Sequence, residues 1–140
     1  MDNTFVLDAS VAVKWFNQKD ENLVENAKNI FINLLTGKIN IIIPELLILE
    51  VLNALIRRKK IKVKESEKIS AELFSYPWTI EPLSYSLMQE TIKISTEYSL
   101  TIYDAVYITI AIEKDIKLIS HDIKGHFSKF KKYSIPLENF

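Results

Sequence analysis

Four carboxylates in this chain stand where a carboxylate is costly. Asp8 closes the apolar run Thr4-Phe5-Val6-Leu7, Asp122 follows the apolar run Ile116 to Ser120, and Glu50 and Asp104 interrupt stretches that are otherwise apolar. A charged group in a buried helical face is destabilising unless it is paired, hydrogen-bonded or bound to a metal. Four acids brought to one place cannot all stay ionised without a cation. The chain has no cysteine and only two histidines, His121 and His126, so oxygen ligands are the realistic ones and magnesium or manganese the natural ion. An acid-lined site of that kind suits phosphoryl chemistry, in which the metal lowers the pKa of bound water and clamps the attacking and leaving oxygens.

Each acid also has a purely structural explanation. Asp8 or Ser10 is placed to cap the helix that follows. Asp104 lies three residues after Thr101, the spacing of a capping box. Glu50 shares a helical face with Asn53, flanked by Leu46 and Arg57, and so has Arg57 or a distant lysine as a possible partner. Aspartate after a strand, as at Asp122, is ordinary turn chemistry. All four explanations holding at once is much less economical than one shared pocket.

The elements that must position these residues alternate along the chain. Thr4 to Leu7 reads as a buried strand, and Val11 to Phe16 as a short helix. Leu23, Ala27, Ile30, Phe31, Leu34 and Leu35 recur at helical spacing over about Asn22 to Thr36, with Gly37 as a left-handed stop. Asn40 to Ile43 is a second buried strand, and Pro44 is placed to start a helix that runs from Glu45 to about Lys60. Helices follow at Lys64 to Phe74, Ser84 to Tyr98 and Ile102 to Glu113. A weak strand at Trp78 to Pro82, a buried one at Ile116 to Ser120, a turn or short helix over Gly125 to Phe130 and a last strand at Tyr133 to Leu137 complete the pattern. Strands alternating with helices predict a mostly parallel sheet covered on both faces, an α/β fold of three layers in one domain spanning residues 1–140. Right-handed crossovers would bring strand ends and helix starts to one edge, where the acids collect.

Composition narrows the function classes. The 140 residues are 48% apolar with two glycines, which excludes a disordered or collagen-like chain. No apolar run approaches the length needed to span a bilayer and no signal-peptide pattern opens the chain, so a cytoplasmic protein is expected. The formal net charge is zero, against a uniformly basic nucleic-acid binder. Basic residues cluster locally: Arg57, Arg58, Lys59, Lys60, Lys62 and Lys64 in one segment, and Lys124, Lys129, Lys131 and Lys132 near the end. These segments read equally as a solvated helix end complementing the helix dipole.

Four segments resemble a known family. Phe5-Val6-Leu7-Asp8-Ala9-Ser10-Val11, Pro44-Glu45 followed by Glu50-Val51-Leu52-Asn53, Tyr103-Asp104-Ala105-Val106-Tyr107 and Leu118-Ile119-Ser120-His121-Asp122 look like the four motifs of PIN-domain ribonucleases, most of all the VapC-type toxins of toxin–antitoxin pairs. The resemblance implies a PIN-like fold and a Mg2+- or Mn2+-dependent endoribonuclease that leaves a 5′-phosphate and a 3′-hydroxyl. It further implies Asp8, Glu50, Asp104 and Asp122 as catalytic metal-site residues, with Ser10 and Asn53 as polar support. An antitoxin partner and a homodimer, using apolar surface between Glu21 and Phe74, are implied as well. Family members often carry threonine and a small or basic residue around the last acid, where this chain has Ser120 and His121, a departure beside Asp122. The RNA backbone would be held by Arg57, Arg58 and Lys60, with Lys14 facing the substrate from the first helix.

Other function classes fit less well. A haloacid-dehalogenase-type phosphatase needs a second aspartate two residues after Asp8, where this chain has Ser10. A signalling receiver domain places its phosphoacceptor after a later strand. A PIN fold kept only for binding RNA or protein would tolerate the loss of an acid, and all four are present.

Overall fold

A strand that runs parallel to both neighbours in the middle of a sheet has no solvent-facing side, and the apolar runs Thr4–Leu7 (β1), Asn40–Pro44 (β2) and Lys117–Ser120 (β4) occupy the inner positions accordingly. The structure, a computed structural model, describes residues 3–123 and 125–140. Thr79–Glu81 (β3) and Ser134–Pro136 (β5) form the edges. All four pairings are parallel, in the order β3-β2-β1-β4-β5. Helices flank the sheet: α1 (Ala9–Ala12, continued by a 3-10 turn at Val13–Trp15), α2 (Val24–Leu35), α3 (Glu45–Arg57), α4 (Val63–Ser75), α5 (Tyr85–Tyr98) and α6 (Ile102–Lys114). The expected parallel α/β architecture is present.

The strand order has one reversal. From β1 the chain steps outward through β2 to β3, then returns to the other side of β1 as β4. Leu7 pairs with Ile119, and the Asp8 amide donates to the Ile119 carbonyl at 3.0 Å, so the carboxyl ends of β1 and β4 lie side by side. That is the crevice in which open α/β sheets bind ligands.

Boundaries differ from the sequence expectation where the backbone takes positive φ. Helix α2 begins at Val24 because Leu23 adopts the left-handed conformation (φ 53°), and α3 ends at Arg57 because Lys60 does so (φ 60°) after the Ile61 amide has turned back to the Leu55 carbonyl. Pro44 closes β2, opposite Glu81, and its extended backbone precedes the first turn of α3. Proline is tolerated there because the strand ends with it. Prolines 77 and 82 bracket β3 and hold it to three residues. Gly37 (φ 75°) makes the left-handed stop after α2.

Candidate active site

Asp8 leaves β1 into the crevice and ties its two banks together. Its Oδ2 accepts a hydrogen bond from the Ser10 hydroxyl at 2.9 Å and another from the Ser120 hydroxyl at 2.8 Å. The Ser120 oxygen in turn accepts the Asp122 amide at 3.0 Å, and the His121 amide reaches Ser10 at 3.4 Å. Asp8 makes no side-chain cap to α1, so capping does not explain it. Burial pushes its carboxyl above the usual range, the nearby Asp104 charge adds to this, and the two serine hydroxyls oppose it.

Glu50 comes from the middle of α3, and its partner is a tyrosine rather than Arg57. The Tyr107 hydroxyl on α6 donates to Glu50 Oε1 at 2.5 Å. Burial raises the Glu50 pKa, as do the charges of Asp8 and Asp104, while the phenol hydrogen bond lowers it. Tyr107 is itself buried, which together with the Asp8 and Glu50 charges holds its phenol well above its ordinary pKa. It therefore remains a donor throughout the physiological range.

Asp104 sits in the first turn of α6. Its amide donates to Thr101 Oγ1 at 3.1 Å, one half of the expected capping box, but its carboxylate turns away toward His126. The His126 Nδ1 lies 2.9 Å from Asp104 Oδ2 and 3.2 Å from Asp122 Oδ2. Asp122 is half-exposed and packs on the backbone at Gly125, where an added Cβ would fall 2.2 Å from Asp122 Oδ1. A side chain at position 125 would force that carboxylate to shift.

The Asp104 charge thus raises the pKa of Asp8 and of Glu50, Asp8 adds to the rise at Glu50, and among the described residues no lysine or arginine is paired with any of the four acids. Their donors are all hard oxygens, which suit a divalent ion in kind. As they are placed, however, no three acidic or histidine side chains among the described residues stand at metal-holding spacing.

A model of the PIN domain matches residues 5–133. The chain belongs to the PIN domain family. Solved structures agree with this PIN fold. A toxin–antitoxin complex from Klebsiella pneumoniae superposes with a TM-score of 0.69 at 17% identity, covering 95% of this chain and 97% of that one. VapBC2 from Rickettsia felis, bound to a DNA fragment from its promoter, gives 0.67 at 19% identity over 95% and 98% of the two chains. VapC20 of Mycobacterium tuberculosis, described as a sarcin-ricin loop cleaving toxin, gives 0.70 at 15% identity over 91% and 95%. Comparison with curated protein sequences finds no significant match.

Other expected site residues of this PIN domain fall apart from the acids. Lys14 is a correction: it does not face a substrate. Helix α1 lasts one turn and tightens into the 3-10 turn that carries Lys14, whose side chain is 1% exposed and whose Nζ donates to Glu21 Oε1 at 2.8 Å. Glu21 also takes Lys59 at 2.9 Å, and Lys59 bonds the Lys19 carbonyl, so this basic residue too is structural. Burial works against the Glu21 charge, but the hydrogen bonds and charges of the two lysines prevail and lower its pKa. Arg57, Arg58 and Lys60 are exposed, as is Asn53, and none of the four makes a side-chain hydrogen bond or ion pair with the described residues. Arg57 lies seven residues along α3 from Glu50, about 10 Å of helix axis. Lys124 lies outside the described residues.

Tyr107 and His126 were given no role in advance. Tyr107 was legible, because three residues after Asp104 it shares that residue's helical face. His126 was not, since nothing in the spacing of a turn aims its ring at residues 104 and 122.

Proposed function

We propose that this PIN domain is a metal-dependent endoribonuclease and the toxin of a VapBC-type toxin–antitoxin pair. The observation that carries the reading is the convergence of Asp8, Glu50 and Asp104 at the β1/β4 switch point, where Asp104 raises the pKa of Asp8, both raise that of Glu50, and no described lysine or arginine is paired with any of the three. Asp8, Glu50, Asp104 and Asp122 would hold Mg2+ or Mn2+. The ion, when bound, supplies an activated water and charge stabilisation for phosphodiester hydrolysis.

The chain's own residues supply placement. Ser10 and Ser120 fix the rotamer of Asp8 from both banks of the crevice, and Tyr107 fixes Glu50 from α6. Such anchored carboxylates cost little reorganisation when charge develops on a phosphoryl group. Arg57, Arg58 and Lys60 are free to hold the RNA backbone at a distance from the acids. A cognate antitoxin and a second copy of the chain are the expected partners. Ile32, Leu35, Ile56, Val63 and Phe74 are exposed on α2 to α4, the stretch in which a homodimer contact was anticipated.

Sequencing RNA ends after induced expression of the wild type and of Asp104→Asn tests the activity. New ends bearing 5′-phosphates are expected with the wild type alone. Identical RNA ends in the two strains would refute it.

A further inference from the structure

The imidazole of His126 has no part in the reading above, yet it stands at the point where two of the acids converge. Its Nδ1 is 2.9 Å from Asp104 Oδ2 and 3.2 Å from Asp122 Oδ2, hydrogen-bond distance from both. A magnesium or manganese ion takes carboxylate oxygens at about 2.0–2.2 Å. One cation cannot draw on those same two oxygens while the ring nitrogen lies between them. The Asp122 carboxylate lies over Gly125, which has no side chain to displace it from this direction.

The ring itself is poorly confined. His126 is 64% exposed and belongs to a turn whose backbone bonds are long, 3.4 Å from the Phe127 amide to the Asp122 carbonyl and 3.3 Å from the Ser128 amide to the Gly125 carbonyl. A χ1 rotation into solvent breaks no other side-chain hydrogen bond among the described residues. The neighbouring Phe127 is buried and anchors the turn, so the ring can leave without the backbone following.

We propose that His126 is a built-in occupant of the acidic site: its ring nitrogen holds Asp104 and Asp122 together and must swing out before a divalent ion can use both carboxylates. This rests on the reading of the acids as a metal site. With its N–H on Nδ1 the ring donates to these carboxylates, so ion entry exchanges one partner of the carboxylates for another. It also accounts for the convergence of Asp104 and Asp122 on one ring nitrogen.

The experiment is a calorimetric titration of the full chain with Mn2+, wild type against His126→Ala and His126→Asn, with imidazole NMR of the wild type during Mg2+ addition. His126→Ala should bind Mn2+ about two- to tenfold more tightly, the worth of a typical hydrogen bond. His126→Asn should fall between, since its amide still reaches a carboxylate. The His126 Nδ1 resonance should move to that of a solvated ring as Mg2+ saturates. Affinity unchanged or weakened in His126→Ala, or an Nδ1 resonance unmoved at saturation, overturns the proposal and makes the ring a bystander or a ligand. If neither the wild type nor His126→Ala binds Mn2+ at millimolar concentration, the metal-site reading fails first. Binding by His126→Ala alone supports the occupant directly.

Discussion

Replacing Tyr107 by phenylalanine removes one oxygen and leaves the buried ring in place. The lost bond is a short one, 2.5 Å, from a phenol to the carboxylate of Glu50. Hydrogen bonds to charged acceptors contribute about 1.5–3 kcal/mol. Glu50 is partly exposed, so water replaces the phenol and the low end applies, a loss of about 1–2 kcal/mol at neutral pH. The sign of the pH dependence follows from Glu50. Burial holds its folded pKa above the ordinary 4.5, and the phenol works against that rise, so the variant carries it higher still. A carboxyl with a raised folded pKa destabilises the fold when ionised, and stability is regained as pH falls through that pKa toward the unfolded value. The deficit of Tyr107→Phe should therefore be largest near pH 7 and shrink toward about pH 4.5. Urea unfolding of metal-free protein across this range, with an unchanged denaturant slope, is the assay. RNA cleavage should fall about tenfold as Glu50 loses its anchor, and its acid limb should move to higher pH. A variant as stable as the wild type at pH 7, or a deficit that grows in acid, would refute this account of Glu50.

Two further outcomes follow from the charges. Glu21→Gln leaves the 1%-exposed Lys14 ammonium with a neutral acceptor and should cost about 2–4 kcal/mol in urea unfolding, part of which Lys14→Met in the same chain restores. Because the Glu21 pKa is lowered, its contribution is present above the ordinary 4.5 and lost as pH falls through the folded value, so the gap between wild type and Glu21→Gln should close in acid. Replacing Arg57, Arg58 and Lys60 by glutamine should weaken RNA binding across sequences and flatten the log affinity against log salt plot by about one unit per lost phosphate contact, with little change in cleavage at saturating RNA. Unchanged affinity and slope would leave these residues a solvated helix end or an antitoxin contact.

The strands were legible because a strand buried on both faces is nearly all apolar at its centre, as Ile41 to Ile43 and Leu118-Ile119 are. Glu50 and Asp104 were legible for the same reason inverted, each being a charge that burial forbids without a partner. Their partners were harder to read: Tyr107 shares the helical face of Asp104, but its bond to Glu50 and that of His126 to Asp104 cross the fold through contacts no local spacing specifies. Lys14 misled because lysine on a short helix is normally solvated, and only the turn carrying Glu21 back over it makes burial tolerable. Ser120 stands where family members often carry threonine, yet its hydroxyl does what the site requires by bonding Asp8 from the opposite bank. The helix starts and stops that were misplaced, at Leu23 and Lys60, depend on left-handed residues with no glycine to announce them.

The central claim, that Asp8, Glu50 and Asp104 form a divalent-ion site, is most directly tested by thermal unfolding of the chain with increasing Mn2+. At about a hundred times the dissociation constant, binding adds about 2.7 kcal/mol, a rise in Tm of roughly 8–10 °C for a domain of this size. The wild type and the Arg57, Arg58 and Lys60 variant should both show that rise, and Asp8→Asn, Glu50→Gln and Asp104→Asn should each abolish it. A Tm that ignores Mn2+ in both the wild type and His126→Ala, or a rise that survives all three substitutions, would contradict the claim.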